Sequence, residues 1–529
     1  MRIKVFRRFW LATMASNFGG LIQTVAAAWM MTSLTGNAQM VALVQTFSTL
    51  PMMLISLPAG ALADLYERRN IMLVAQSGML AVATGLAILA ALSLATPAVL
   101  LIATFLIGAG TALNAPSWQA SLRDQVPREH IEAAANLNSV GFNVARSLGP
   151  AIGGMIVALA GVAAAFAANA FSYVGLILTL LSWKRPRHDR TLPPEGVPQA
   201  IRAGVRYVAF SPSLVAVLVR TSTFGLCGSS VWALSAILAR DALDGGAATY
   251  GLLLGGFGVG AVIGALLRAT LPIGRDLLVK SCSLAFGLAA ILLGLSHNLY
   301  LSIALTGVTG GAWMVALTGL GVSVQLIAPR WVVGRAMSLN QMSIFAGMAL
   351  GSWFWGFIAQ SFDVRTAFVA SGCAMLATLL LTFFFPLTSE ESLDLTPMRS
   401  RPIDDLDGPV GPNDGPIVVT IEYRVLPENF RAFVTAMDDL GRIRRRNGAH
   451  RWTLHQDVDT PTRWVERFHS LTWLDHLRRQ TRHTQADQSV SNRVAELHEG
   501  PIIVNRMLER RIWTVPIAPI RRLDDGSDI

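Results

Sequence analysis

From about Phe9 to about Pro386 the chain is a near-continuous succession of long apolar runs separated by short basic loops, and it then turns abruptly polar and charged to its end. Runs such as VALVQTFSTLPMMLISLPAGAL (41–62) and SGCAMLATLLLTFFFPL (371–387) carry no charge. Each approaches the roughly 20 apolar residues that a helix needs to cross a hydrocarbon core, so this part of the chain is expected to live in a bilayer. Only 14% of the residues are charged and 52% are hydrophobic, where a soluble domain carries about a quarter charged. The three cysteines, Cys227, Cys282 and Cys373, all fall in apolar segments without paired spacing. Neither a disulfide framework nor a zinc site is expected from them. The basic start, Arg2, Lys4, Arg7 and Arg8, leads into a long segment with no short core and small-residue cleavage site, which predicts that the first apolar segment stays in the mature protein.

The punctuation between runs predicts twelve spans, at about 9–34, 39–62, 70–94, 97–117, 139–160, 163–183, 213–238, 248–270, 277–295, 299–327, 335–360 and 366–386. Connections on one side, such as TGNAQ (35–39), LATP (94–97) and AGVA (160–163), hold no basic residue, whereas every second loop is rich in arginine and lysine. This one-sided bias predicts that the N-terminus, a 184–212 linker and the C-terminal region are all cytoplasmic. It also accounts for most of the net charge of +10, which is read as facing lipid headgroups and not nucleic acid. The lipid bilayer and a small-molecule substrate are the expected partners.

Both ends on one side, with one long central loop, predict two six-helix bundles, 1–183 and 213–388. A repeat supports them: Pro127, Asn138, Gly149 and Gly154 stand at spacings of 11, 11 and 5, and Pro329, Asn340, Gly351 and Gly356 repeat those spacings. Two related bundles rocking about a midplane site are a common physical solution to alternating access.

After the second span the chain reads Gly60-Ala61-Leu62-Ala63-Asp64-Leu65-Tyr66-Glu67-Arg68-Arg69. A glycine, an aspartate four residues on and a basic pair resemble the cytoplasmic signature of the major facilitator superfamily. The resemblance implies a gate made by Gly60, Asp64, Arg68 and Arg69, with Gly60 permitting a close helix crossing and Asp64 pairing at the membrane edge. In the fifth span, Gly149-Pro150-Ala151-Ile152-Gly153-Gly154 is similar to the motif that marks exporters and antiporters of that superfamily, with Gly149, Pro150, Gly153 and Gly154 as its members. The segments 121–150 and 328–341 resemble the transmembrane secretion effector subgroup that includes the bacterial enterobactin exporter. The resemblance implies a secondary exporter of siderophores, drugs or similar amphipathic molecules in a bacterial-type inner membrane, with no cofactor and no enzymatic activity. No G-x-x-x-x-G-K-[ST] sequence is present, which argues against an ATP-driven pump on this chain.

The polar and aromatic residues expected to face a central cleft are Asn17, Gln23, Trp29, Asn114, Trp232 and Trp313, since aromatic walls with a few amides suit a large amphipathic ligand. Arg146 and Arg220 are the intramembrane cations, and either can hold an anionic or phenolic oxygen or snorkel to headgroups. The predicted spans contain no carboxylate for proton antiport.

Beyond a Pro-, Asp- and Gly-rich linker (389–415), strand-like IVVTIEYRV (417–425), a helical stripe from Phe430 to Ile443, a hairpin over 450–470, a helical stretch (471–497) and a last strand (502–508) predict the order βαββαβ over 416–513. The fold class expected is therefore a multi-pass α-helical membrane protein with a C-terminal α+β ferredoxin-like domain and a 514–529 tail. The domain resembles the antibiotic-biosynthesis-monooxygenase-type α/β barrels, which implies homodimerisation through 416–513. Its six histidines, 450, 455, 469, 476, 483 and 498, form no close ligand pair, so no metal is expected. Two other readings are an importer or sensor on the same fold, and a membrane-tethered monooxygenase whose activity resides in the tail.

Overall fold

The computed structural model describes residues 4–127, 130–183, 197–270, 274–329, 331–387 and 410–510. Much of the expected 184–212 and 389–415 linkers and all of the 514–529 tail lie outside them. The chain divides into two compact units. The first is Met1–Pro194, Ala216–Ser323 and Met337–Thr388; the second is Glu195–Val215, Val324–Ala336 and Ser389–Ile529.

The first unit is helical. Its elements are α1 (Lys4–Leu34), α2 (Ala38–Leu65), α3 (Arg68–Ala91), α4 (Pro97–Gln125) and α5 (Ile131–Ser182). After α6 (Val197–Ala209) come α7 (Pro212–Ile237), α8 (Ala247–Thr270), α9 (Arg275–Leu295), α10 (Leu299–Ile327), α11 (Val333–Ser361), α12 (Val364–Ala377) and the short α13 (Leu381–Phe384). Ten helices among the described residues are long and apolar enough to cross a membrane. Short polar loops start them: Asn37, Thr96 and Asp363 are N-caps whose side chains accept from the backbone N–H of Met40, Val99 and Thr366, satisfying donors that a helix start leaves open. The expected turn at 160–163 is a break inside α5, where Gly161 adopts φ 80°, ψ 171°, a conformation that costs a residue without Cβ little.

The repeat has a packing counterpart. A Cβ on Gly149 would stand 3.0 Å from the Leu21 side chain of α1, and one on Gly351 would stand 2.2 Å from the Leu226 carbonyl of α7. In each half the helix bearing that glycine is thus pressed against the first helix of the half. The halves meet along α5 and α8, where a Cβ on Gly154 would lie 2.6 Å from the Ala247 carbonyl and one on Gly258 would lie 2.4 Å from that of Arg146. They also meet near the α1–α2 junction. There the Ala38 N–H donates to Gln360 Oε1 at 2.7 Å, Thr46 Oγ1 donates to the Ala349 carbonyl at 3.2 Å, and Arg240 Nη1 donates to the Thr32 carbonyl at 2.9 Å.

The second unit carries a four-stranded antiparallel sheet of β1 (Ile417–Arg424), β2 (His450–Gln456), β3 (Arg463–Ser470) and β4 (Ile503–Leu508), in the spatial order β2-β3-β1-β4. Between the strands run α14 (Phe430–Asn447), α15 (Trp473–Thr481) and α16 (Gln485–Glu496). Strand periodicity turns Trp464, Glu466, Phe468 and Ser470 of β3 inward. Phe433, Met437 and Leu440 of α14 cover Val419, Ile421, Tyr423 and Phe468. Strand β4 stays largely exposed along its length.

The central linker was expected as loop, but its described part forms α6, which with the α10–α11 loop is part of the second unit. Arg446 lies 5.0 Å from the Tyr207 ring, Arg445 5.5 Å from Phe210, and Arg482 4.3 Å from Trp331. Arg206 Nη1 is 3.2 Å from His450 Nε2. The basic run at the end of α14 is spent on aromatic rings and buried carboxylates, because Tyr207 and Phe210 stand over Arg446 and Arg445 and Glu466 and Asp487 meet Arg444 and Arg446.

Candidate functional site

In the first unit a cavity of about 440 Å³ is lined by residues of α1 to α5 from one half and by Trp232, Tyr250, Phe345 and Met348 from the other. Asn17, Gln23, Asn114 and Trp232 line it, joined by Gln45, Thr49, Gln76, Asn169 and Tyr173, which the sequence reading did not single out. Asn169 Nδ2 donates to Gln23 Oε1 and, at 3.2 Å, to the Tyr173 hydroxyl. This amide pair ties α1 to the second stretch of α5 and holds one wall.

The opposite polar groups are unmet. Gln76 Oε1, Asn114 Oδ1 and Trp232 Nε1 are buried and have no hydrogen-bond partner among the described residues. A buried polar atom left unpaired costs about 1–3 kcal/mol, so two acceptors and one donor facing one space are a recognition pattern for a bound molecule. A larger cleft of about 850 Å³ runs between α5, α8, α9 and α10, but it is lined mainly by glycine, alanine and branched apolar side chains. None of its lining residues holds such an unpaired buried atom, and the smaller cavity therefore carries the chemistry.

Four expected cavity residues lie elsewhere. Arg220 is 6% exposed and pairs with Asp276 of α9 at 2.5 Å, and Lys280 also reaches that carboxylate. It is neither a cavity cation nor a snorkelling one, because a carboxylate in the first turn of α9 meets it. Trp313 is buried among Phe224, Phe257 and Phe286 at centroid distances of 5.7, 6.4 and 6.4 Å, and Trp29 packs against the main core. Arg146 stands beside the cavity, its guanidinium 5.6 Å from the Trp232 ring and 5.4 Å from the Phe257 ring.

The motif residues are placed as follows. Gly149 and Gly153 face α1, Gly154 faces α8, and the Pro150 carbonyl stands 2.8 Å from where a Cβ on Gly251 would be. Among the described residues nothing lies within 4 Å of a Cβ built on Gly60, and a tight approach to α2 is made by Gly108 of α4, against Ser48 and Pro51. Asp64 lies in the last turn of α2, but its side chain is outside those described. Arg69 donates from Nε to the Leu180 carbonyl at 2.8 Å and from Nη2 to that of Leu181 at 3.0 Å. It caps the end of α5, where carbonyls lack helical partners and a cation complements the helix dipole. Arg68 opens α3.

In the second unit, Glu466 is fully buried and accepts from Tyr423 at 2.9 Å, Trp452 Nε1 at 2.8 Å and Arg444 Nε at 3.1 Å. Asp487 takes Arg446 and Asn447 and closes a capping box with Thr484. Among the described residues no group of three His, Cys, Asp or Glu is placed to hold a metal. Burial, reinforced by neighbouring arginines, pushes the imidazole of His476 down to about 3 and that of His483 to about 4. Both are neutral in the folded unit and protonate near 6.5 when unfolded. Below that value the unfolded state binds more protons, and each group removes about 1.4 kcal/mol per pH unit until its folded value is reached. Hydrogen-exchange protection of β1 to β3 in the full chain is expected to fall between pH 6.5 and 4, and to fall less steeply in His476→Leu; equal slopes would show that His476 contributes nothing.

A family model of the major facilitator superfamily, described as transmembrane secretion effector, matches residues 1–512. The multidrug efflux pump Tap of Mycobacterium tuberculosis is 25% identical over 419 residues, covering 76% of this chain and 96% of that protein. The staphyloferrin A transporter of Staphylococcus aureus is 25% identical over 374 residues, covering 69% and 92%. The enterobactin exporter EntS of Escherichia coli is 28% identical over 330 residues, covering 60% and 76%. Among solved structures, a POT family transporter bound to a thioalcohol-conjugated peptide superposes with a TM-score of 0.58 at 13% identity, covering 73% of this chain and 96% of that one. An inward-facing bacterial homologue of the lysosomal transporter Spinster gives 0.54 at 15%, covering 72% and 94%.

Proposed function

Because this chain belongs to the transmembrane secretion effector family of the major facilitator superfamily, a family of multi-pass membrane transporters and not of enzymes, we propose that it exports small amphipathic molecules, siderophores or drugs among them, by alternating access. The observation that carries the reading is the cavity walled by both halves, with Gln76 Oε1, Asn114 Oδ1 and Trp232 Nε1 unmet. Cargo with hydroxyl or N–H donors and at least one acceptor satisfies all three.

Twelve spans follow when α5 is counted as two stretches about Gly161 and α1, 31 residues long, is added to the ten apolar helices. The basic loops favour cytoplasmic termini in a bacterial-type plasma membrane. Pro150 and Gly154, on the α5–α8 seam along which the halves move, support outward transport, while Gly149 and Gly153 hold α5 against α1, and the turn holding Asp64, Arg68 and Arg69 is offered as the gate. The strand order β2-β3-β1-β4, antiparallel throughout, supports a ferredoxin-like domain of the monooxygenase type. Its bare sheet face, with Ile503 and Met507 about half exposed, favours pairing with a second copy. The family assignment sets aside the tail-borne oxygenase.

The test is uptake into inverted vesicles under an imposed proton gradient, comparing wild type with Gln76→Leu/Asn114→Leu. Losing two neutral hydrogen bonds at about 1 kcal/mol each predicts a fall of roughly thirtyfold in apparent affinity. Unchanged uptake would place the route elsewhere.

A further inference from the structure

Arg146 brings five N–H donors into the apolar seam between the two halves. Among the described residues no carboxylate pairs with it, and it takes part in no hydrogen bond from its side chain; what it has is two ring faces, Trp232 of α7 and Phe257 of α8. Ring faces attract a guanidinium but leave its donors unmet. Arg220 shows what the fold does with a cation it keeps for structure, which is to give it Asp276. The cage also shares a wall with the cavity. Trp232 lines both, and Phe142, one helical turn before Arg146, lines the cavity too.

We propose that Arg146 determines cargo specificity: the cavity takes amphipathic anions, and an anionic oxygen of the cargo draws the guanidinium out of the Trp232–Phe257 cage into a two-pronged ion pair. This rests on the reading of the cavity as the cargo site. Charge-assisted, bidentate hydrogen bonds from a guanidinium to an oxyanion are stronger than its contact with a ring face. An anion therefore wins the exchange, and a neutral molecule of the same shape leaves Arg146 in its cage. The cage in turn holds the cation when no cargo is bound, at the place where Gly258 brings α8 against the Arg146 backbone.

The experiment uses the purified full chain in nanodiscs and two fluorescent amphiphiles, anionic 1-anilinonaphthalene-8-sulfonate and uncharged N-phenyl-1-naphthylamine. Wild type is expected to bind the anion at least about tenfold more tightly. Arg146→Gln is expected to abolish that preference while leaving the neutral probe's affinity unchanged, which also shows that the variant is folded, and Arg146→Lys to restore part of it. Phe257→Leu, which removes the competing ring without replacing a residue that lines the cavity, is expected to tighten anion binding several-fold. An anion preference that survives Arg146→Gln, or anion binding weakened by Phe257→Leu, overturns the proposal. If Gln76→Leu/Asn114→Leu weakens both probes, the cargo-site reading stands whatever Arg146 does; if neither probe responds to that variant, the cargo-site reading itself fails.

Discussion

Gly154→Leu is expected to reduce vesicle transport about 100-fold or more while the protein still inserts. The atoms nearest a Cβ at this position are backbone, the Ala247 carbonyl at 2.6 Å and the Gly251 Cα at 2.9 Å, and backbone has no rotamer with which to move aside. Adding four carbons forces α5 and α8 apart, and forced overpacking costs typically 1–3 kcal/mol or more. The cavity suffers with the seam, since Phe142 on α5 and Tyr250 on α8 both line it. Gly60→Ala is the control: among the described residues nothing lies within 4 Å of the added carbon, and alanine favours the helix by about 0.5–1 kcal/mol over glycine. Transport per inserted molecule near wild type in Gly60→Ala and lost in Gly154→Leu is the expected pair. Equal rates in both would mean that the seam yields and does not govern transport.

Glu466→Ala is expected to destabilise the second unit by about 3–5 kcal/mol, the usual cost of leaving one member of a buried ion pair behind. Arg444 would lose its carboxylate, and Tyr423 and Trp452 would lose the acceptor that now serves them both. Against the roughly 5–15 kcal/mol that holds a typical domain together, this removes about a fifth of the stability or more. Hydrogen exchange in the full chain reads it directly, as faster exchange across β1 and β3 with the helices of the first unit unchanged. Glu466→Gln keeps an acceptor and is expected to fall between the two. Wild-type protection in Glu466→Ala would show that the network adds nothing.

Most of the fold was legible because two periodicities dominate this chain. Uncharged runs near 20 residues long mark the spans, and the alternation in 417–425 and 463–470 marks β1 and β3 within a residue of where they lie. The α6 helix was hidden because its amphipathic stripe is only 13 residues long and is interrupted by Arg202 and Arg206 inside a linker. The site was legible only in part. Asn17, Gln23, Asn114 and Trp232 stand out as polar or aromatic residues in apolar spans, and they do meet. Gln76 looks no different in sequence, and its importance comes from an unpaired oxygen that only packing reveals. The pairing of Arg220 was equally hidden, since Asp276 lies 56 positions away and sits at the edge of a predicted span. Gly60 illustrates the reverse, a motif position with no described neighbour within 4 Å of an added Cβ.

The aromatic shelf formed by Tyr207, Phe210 and Trp331 has a practical consequence for anyone who would trim this protein. A chain cut at the polar boundary near residue 388 would keep these rings and discard Arg445, Arg446 and Arg482, which now cover them. Such a product would carry a newly bared sticky face where the intact molecule has none, and poor behaviour in detergent would say little about transport. The C-terminal domain is in that sense a lid on its own docking platform, and swapping it between relatives requires that α6 and the α10–α11 loop travel with it.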